Sequence, residues 1–291
     1  MTYRAKRAWT GWAFLAPYTL SFSFFVVVPI VASLVLAFMR FDLTSRESVQ
    51  FIGFQNFHDA WMDAYFWQAL QATVRYGILM VPSLIVLALA LALGMNAMSK
   101  GRDVVRAMLF LPAMFNVAVA GILWQWFYNG QFGLFNFALK NMGMEPQPWL
   151  SDRGLAMPSI VAMSLWWSVG GASVVLLAAL QQIPRQIFEA ALLDGARGPN
   201  LLRQITLPLL RPVLLFVVVT NTIGAFQVFG QPFLLTRGGP ELSTRGLVQY
   251  IYETAFNNYR MGYGAAMSWM LFLIIAVFAI VQYRFLRRST D

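Results

Sequence analysis

The chain has 291 residues, of which 59% are hydrophobic and only 11% are charged, and its formal net charge is +9 at pH 7. Soluble domains are about half apolar and about a quarter charged, so this composition excludes an ordinary soluble protein and indicates a membrane protein. The absence of cysteine excludes disulfides and thiol chemistry, and the single histidine, His58, leaves no His/Cys metal cluster.

Six apolar runs are each long enough to cross about 30 Å of hydrocarbon. They predict an all-α integral membrane protein with six transmembrane helices: Trp12 to Phe38, Val74 to Leu93, Ala107 to Phe127, Leu155 to Leu180, Leu207 to Leu235 and Tyr263 to Tyr283. The first run is too long for the core of a signal peptide, so we expect it to be retained.

The distribution of Lys and Arg predicts the orientation in the membrane. Thirteen of the 21 fall on the side that holds both termini and the loop between the fourth and fifth runs, and eight fall on the other side. Cytoplasmic loops carry the excess of positive charge, so we expect both termini in the cytoplasm. This placement accounts for the net charge without nucleic acid as a partner.

The polar segment between the fourth and fifth runs reads Glu189-Ala-Ala-Leu-Leu-Asp-Gly195 and is followed by Ile205-Thr-Leu-Pro208. Pro184 suits a first helical position, and Gly195 suits the left-handed stop of a helix. The spacing therefore predicts a short, solvent-facing helix over Arg185 to Asp194.

This order of EAA, three residues, Gly, nine residues, Ile and Leu-Pro resembles the signature of permease subunits of binding-protein-dependent ABC importers. Three external strings, Phe51 to Phe57, Gly133 to Asn136 and Leu235 to Pro240, resemble the carbohydrate-uptake branch, which includes the maltose and glycerol-3-phosphate types. The resemblance implies a type I ABC importer permease in the bacterial cytoplasmic (inner) membrane.

The resemblance also implies the organisation of the chain. Residues 1–65 would form an N-terminal cytoplasmic segment, a first transmembrane helix and an external loop. Residues 66–283 would form the transmembrane core, including the cytoplasmic EAA coupling loop at 182–206, and residues 284–291 would form a cytoplasmic tail.

In this family the EAA loop enters a cleft of the ATPase subunit and transmits force. The resemblance assigns that contact to Glu189, Ala190, Ala191, Asp194 and Gly195. A P-loop needs Gly-Lys-Ser/Thr, and the three lysines follow Ala, Ser and Leu, so ATP hydrolysis must reside on another polypeptide. We therefore expect no catalytic residue and no metal or other cofactor on this chain, with ATP and Mg on the partner ATPase.

A sugar pathway needs amides, hydroxyls and aromatic faces, and two spans offer them. The candidate substrate-binding residues are Trp166, Trp167, Ser168 and Gly171 in the fourth span and Asn221, Thr222 and Gln227 in the fifth. Ser168, Gly171 and Asn221 resemble cavity positions of maltose-type permeases, but Gly171 and Ala225 replace bulkier or amide side chains, which leaves the sugar open. Ordinary helix packing is the alternative for the small and weakly polar residues. A third group of candidate substrate-binding residues lies in the third span and consists of Asn116, Trp124 and Gln125.

The resemblance predicts alternating access in a complex with a second, similar permease subunit, two ATPase subunits and an external solute-binding protein. The substrate would be a sugar or oligosaccharide, with glycerol-3-phosphate or another polar solute as the alternative. A stand-alone secondary carrier is a rival class, although none of the six runs contains Asp or Glu. An integral membrane enzyme is a further rival. The sequence argues against it, because it contains no cysteine, no histidine pair and no carboxylates within the apolar runs.

Overall fold

The structure is a computed structural model that describes residues 3–42 and 49–288. Its α-helices, in chain order, are α1 (Tyr3–Phe22), α2 (Val28–Ala37), α3 (Gln55–Met62), α4 (Ala64–Ala97), α5 (Arg102–Phe110), α6 (Val117–Phe127), α7 (Leu134–Asn141), α8 (Ala156–Gln182), α9 (Arg185–Leu193), α10 (Pro199–Leu201), α11 (Leu207–Phe226), α12 (Gly230–Leu235), α13 (Leu247–Tyr252) and α14 (Met261–Arg288). Within the described ranges, the other regular segments are π-helical at Ser23–Val27, Leu202–Thr206 and Glu253–Asn257, 3-10 helical at Leu111–Met114, and extended at β1 (Met39–Arg40) and β2 (Gln50–Phe51).

The all-α membrane fold predicted from the sequence is confirmed. In the described part of the chain, five helical stretches are long and apolar enough to cross a membrane: Phe14–Ala37, Ala64–Ala97, Ala156–Gln182, Pro199–Phe226 and Met261–Arg284. A bent pair, Arg102–Met114 with Val117–Phe127, makes a sixth span if the two pieces are read as one.

The prediction of one continuous third span from Ala107 to Phe127 is wrong. The chain turns by 98° between the two pieces, because Phe115 and Asn116 are extended, with ψ angles of 142° and 144°. The side chain of Asn116 then starts α6 by accepting a hydrogen bond of 2.9 Å from the backbone N–H of Ala118. The predicted fifth span is also too long, since α11 ends at Phe226 and the residues that follow form the separate helix α12.

The chain forms two compact units. One contains residues 1–63 and 251–273, and in it β1 pairs antiparallel with β2 through Met39 and Phe51. The side-chain amide of buried Asn56 donates to the carbonyls of Ala37 and Met39, at 2.9 Å each. The string Phe51 to Phe57 therefore fixes the end of α2 from within the same unit.

The other unit contains residues 64–250 and 274–291. The long helices α4 and α8 pack side by side, and α11 packs against both of them. Alanines line the buried face of α4, and such small residues let membrane helices approach closely. The core between these helices is centred on Leu84, Ile160, Met163 and Leu176, which are fully buried. The predicted boundary between residues 65 and 66 stays a prediction.

Candidate functional site

A cavity of about 420 Å³ opens between the packed helices of the second unit. Helices α4, α8 and α11 form one side of it, and α6, α12 and the residues before α12 form the other. Its lining residues are Tyr76, Met80, Val117, Ser164, Trp167, Ser168, Asn221, Gly224, Ala225, Gln227, Val228, Phe229, Gly230 and Gln231. None of these side chains is charged, so the cavity offers hydroxyls, amides, one indole and apolar surface.

The polar groups of the cavity differ in how far neighbouring residues satisfy them. The hydroxyl of Ser168 donates to the carbonyl of Ser164 at 2.6 Å, one turn earlier on α8. The amide nitrogen of Asn221 donates to the carbonyl of Val217 at 2.8 Å, and no described residue donates to its amide oxygen. The side chains of Gln227 and Gln231 make no hydrogen bond within the described ranges. Three amides therefore retain donor or acceptor groups for a ligand.

Four of the seven predicted substrate-binding residues lie together in this lining: Trp167, Ser168, Asn221 and Gln227. The other three, Trp166, Gly171 and Thr222, do not line it. A β-carbon added at Gly171 would meet no atom within 4 Å. Thr222 is buried instead, where its hydroxyl donates to the carbonyl of Val218 at 2.8 Å and accepts from the amide of Gln282 at 3.0 Å.

Trp166 belongs to an aromatic cluster, which we define as Trp124, Phe127, Tyr128, Phe135, Trp149 and Trp166. The rings of Trp124 and Trp166 are 5.6 Å apart. The hydroxyl of Tyr128 donates to the carbonyl of Ser159 at 2.9 Å, and burial raises the pKa of this hydroxyl, which stays a neutral donor. Adjacent tryptophans on α8 therefore face different surroundings, and the position of Trp166 indicates packing.

Sequence reasoning missed three polar lining residues, Tyr76, Ser164 and Gln231. Ser164 lies four residues before Ser168, so the helical period of the fourth span was a signal that could have found it. Tyr76 on α4 and Gln231 on α12 had no such signal, because only the packing of distant segments brings them to the cavity.

The third predicted group, Asn116, Trp124 and Gln125, has structural contacts. Asn116 caps α6, and Trp124 lies in the aromatic cluster with a buried indole N–H that has no described partner. The side-chain amide of Gln125 donates to the carbonyl of Leu234 on α12. None of the three lines the cavity.

The predicted helix of the EAA segment is present as α9. It ends in a reciprocal pair of backbone hydrogen bonds: the N–H of Ala196 donates to the carbonyl of Ala191 at 2.9 Å, and the N–H of Gly195 donates to the carbonyl of Leu192 at 3.2 Å. This pattern needs a left-handed residue after the helix, which glycine adopts without steric cost. Gly195 has φ of +83°, as the sequence predicted.

The predicted coupling residues divide by exposure. Glu189, Ala190, Asp194 and Gly195 are exposed, whereas the side chain of Ala191 is 6% exposed and packs within this chain. Of the two alanines, Ala190 is the open one, and the contact of this segment with an ATPase stays a prediction. No hydrogen bond or ion pair within the described ranges involves the side chain of Glu189, so it is not paired with Arg185 one turn earlier on α9. Leu193, at the end of the same helix, is 90% exposed.

The described residues contain no group of three or more His, Asp or Glu side chains that could hold a metal ion.

Residues 84–291 match the family described as "Binding-protein-dependent transport system inner membrane component". The match covers more than half of the chain, so this protein belongs to that family. It is a multi-pass transport permease of the inner membrane, as the EAA segment indicated.

Two curated relatives cover nearly the whole chain. The lactose transport system permease protein LacF of Rhizobium radiobacter is 36% identical over 280 residues, which cover 94% of this chain and 92% of LacF. The sn-glycerol-3-phosphate transport system permease protein UgpA of Agrobacterium fabrum is 33% identical over 275 residues, which cover 94% of this chain and 93% of UgpA.

A solved structure has the same fold. It is the crystal structure of a bacterial alginate ABC transporter in complex with an alginate pentasaccharide-bound periplasmic protein. A chain of that transporter is similar with a TM-score of 0.86 and 24% identity, over 98% of this chain and 96% of that chain. The fold is thus that of a type I ABC importer permease.

Proposed function

We propose that this permease carries a neutral sugar or oligosaccharide by alternating access. The observation that supports this is the lining of the cavity, which presents amides, hydroxyls and the indole of Trp167 without a charged side chain. Sugars are bound by hydrogen bonds to their hydroxyls and by aromatic faces against their apolar side. A few convergent polar groups in a mostly apolar pocket are the usual form of a small-molecule site.

The same lining bears on the alternative substrate, glycerol-3-phosphate. Phosphate recognition generally uses arginine, lysine or a helix N-terminus, because charge-assisted hydrogen bonds are needed to replace the hydration of the anion. The cavity has no arginine or lysine. LacF, a lactose transport permease, supports the sugar, and UgpA, an sn-glycerol-3-phosphate transport permease, supports the alternative. The absence of a charged side chain from the cavity lining favours the neutral solute.

Uptake by the assembled complex tests the substrate. The complex is reconstituted into liposomes that contain ATP, with the solute-binding protein outside, and labelled lactose, other neutral oligosaccharides and glycerol-3-phosphate are compared. We expect ATP-dependent uptake of at least one neutral saccharide. Uptake of glycerol-3-phosphate with no saccharide would overturn the proposal, and uptake by this chain without partners would establish a secondary carrier.

The proposal also places the source of energy on partner subunits. A second permease would complete the pathway, and two ATPase subunits would dock beneath the EAA helices. The sequence has no P-loop, and α9 presents the exposed carboxylate of Glu189 beside the almost fully exposed apolar side chain of Leu193. Leu192 beside it is also exposed, and an exposed apolar patch bordered by a charge is suited to a protein contact outside the membrane.

Site-specific cross-linking tests this docking. A thiol-reactive cross-linker attached to Leu193→Cys should join this chain to the ATPase, and the native chain offers no competing cysteine. Ser151→Cys, on the opposite predicted face, is the matched control and should give no such product. Equal cross-linking from both positions would contradict the proposed docking.

A further inference from the structure

The break between α5 and α6 lies beside the cavity and is held by one side chain from α8. The indole N–H of Trp167 donates to the carbonyl of Phe115 at 3.1 Å. Phe115 is extended, so its carbonyl continues the hydrogen bonding of neither helix. A backbone carbonyl without a partner is costly inside a membrane, and Trp167 satisfies this one.

The two sides of the break are fixed to α8 in different ways. On the α5 side, Gly170 packs directly against the backbone of Leu109 and Phe110, which leaves no space for a β-carbon. On the α6 side, Trp167 donates one hydrogen bond to Phe115 just before the helix starts, and Tyr128 donates one to the carbonyl of Ser159 where the helix ends. The contact at Gly170 is rigid backbone packing, whereas the hydrogen bond at Phe115 comes from a side chain, Trp167, that also lines the cavity.

Helix α6 is closely joined to α12. A β-carbon at Gly121 would lie 2.9 Å from the side chain of Leu234, and one at Gly230 would lie 2.9 Å from the side chain of Val117. The amide of Gln125 also donates to the carbonyl of Leu234. These contacts make α6 and α12 one packed pair, which supplies one wall of the cavity through Val117, Gly230 and Gln231.

We propose that Trp167 is a positioning residue that holds the α6–α12 pair against α8 when the cavity is empty. A ligand hydroxyl that accepts a hydrogen bond from the same indole N–H competes with the carbonyl of Phe115. Occupancy of the cavity then weakens the bond at the break, and the N-terminal end of α6 moves away from α8 together with α12, while the hydrogen bond from Tyr128 to Ser159 holds the other end of α6. The ring contact of Trp124 with Trp166 is apolar and non-directional, so it can slide as the pair moves. The proposal rests on the proposed function only for the nature of the ligand.

The test uses a single cysteine as a reporter in the ligand-free, fully assembled complex. Gln231→Cys is placed in nanodiscs, where both membrane faces are open, and its rate of reaction with a charged thiol reagent is measured with and without Trp167→Phe. Loss of the hydrogen bond should accelerate labelling about three- to ten-fold, the change that one net hydrogen bond makes in an equilibrium constant.

The matched control is Trp126→Phe. Trp126 lies on α6 itself, half exposed, and its indole N–H makes no hydrogen bond within the described ranges. The Trp126→Phe variant should leave the rate of labelling of Gln231→Cys unchanged. A second reporter, Ser151→Cys, should react equally in all backgrounds, and Trp167→Leu, which also lacks a donor, serves if Trp167→Phe does not assemble.

Equal labelling of Gln231→Cys with and without Trp167→Phe would overturn the proposal. The same acceleration with Trp126→Phe, or at Ser151→Cys, would overturn it too, since either would show general loosening. Because no substrate is present, a failure to transport sugar would contradict the proposed function and leave this result unaffected.

Discussion

Gly170 of α8 lies directly against the backbone carbonyl of Leu109, and a β-carbon at position 170 would overlap that carbonyl. The adjacent Gly171 is surrounded by open space, with no atom within 4 Å of the corresponding β-carbon. Two neighbouring glycines of one helix therefore have different roles. Gly170 permits the close crossing of α8 with α5, and Gly171 does not contribute to it.

Gly170→Ala should destabilise the assembled permease, whereas Gly171→Ala should not. The added methyl group at 170 must displace backbone, which we expect to cost about 1–3 kcal/mol. At 171, alanine meets no neighbour and favours the helix by up to about 1 kcal/mol. The fraction of complex that stays monodisperse after heating measures both variants. Equal losses from the two would show that the crossing does not depend on Gly170.

Asn221→Ala should raise the substrate concentration for half-maximal uptake about five-fold or more, since the loss of one buried hydrogen bond costs roughly 1–3 kcal/mol. Thr220→Ala is the matched control. Thr220 is the preceding residue of α11, is exposed, and bonds only to its own helix at Phe216 and Val217. Concentration-dependent uptake in proteoliposomes distinguishes them, and unchanged uptake in Asn221→Ala would assign Asn221 to helix packing.

Trp166→Ala should act differently from a cavity variant. Removing this ring opens a void in the aromatic cluster, and losses of this kind cost about 3–5 kcal/mol in buried sites. We expect less assembled complex, with the half-maximal concentration of the surviving complex unchanged. Immunoblots of membranes together with uptake assays separate the two effects. A raised half-maximal concentration with normal assembly would restore Trp166 to the substrate pathway.

Gly195→Asp and Glu189→Lys should allow insertion of this chain into the membrane yet abolish ATP hydrolysis stimulated by the binding protein. At Gly195, φ of +83° is strained for any side chain by an amount on the order of 1 kcal/mol, and the new carboxylate would enter the proposed contact. At Glu189, lysine would present the wrong charge to a basic partner.

Gly143→Asp is the matched control for Gly195→Asp. Gly143 also has a left-handed backbone, with φ of +75°, and it too has open space around it, but it follows α7 on the opposite predicted face. It should keep wild-type ATP hydrolysis, and Glu189→Gln should retain more activity than Glu189→Lys. Wild-type hydrolysis and import in Gly195→Asp or Glu189→Lys would mean that the EAA segment does not transmit the coupling.

Single cysteines at Ser99 and Ser151 should be labelled from opposite membrane faces. The prediction follows from the excess of Lys and Arg on the side of the termini. Both serines are exposed, and the native chain has no cysteine, so an impermeant thiol reagent applied to intact and to opened vesicles gives a direct readout. Labelling of both positions from the same face would refute the predicted orientation.

The sequence predicted four of the fourteen residues that line the cavity and only part of its surroundings. Trp167 and Trp166 are adjacent and chemically identical, so composition could not separate the residue that lines the cavity from the one that packs in the aromatic cluster. Their side chains point about 100° apart around α8, and what each meets depends on which helices pack there. Tyr76 and Gln231 reach the cavity from other segments for the same reason.

By itself, the sequence determined the membrane class, the apolar spans and the α9 helix with its left-handed stop at Gly195. These features depend on composition and on residues close together in the chain. The tertiary structure decided where the third apolar run breaks. A break frees backbone polar groups within a membrane span, and it is tolerated where the surrounding protein or a water-filled cavity can satisfy them. The donor for Phe115 is Trp167, which lies 52 residues further along the chain and meets it only after α8 has packed beside the break.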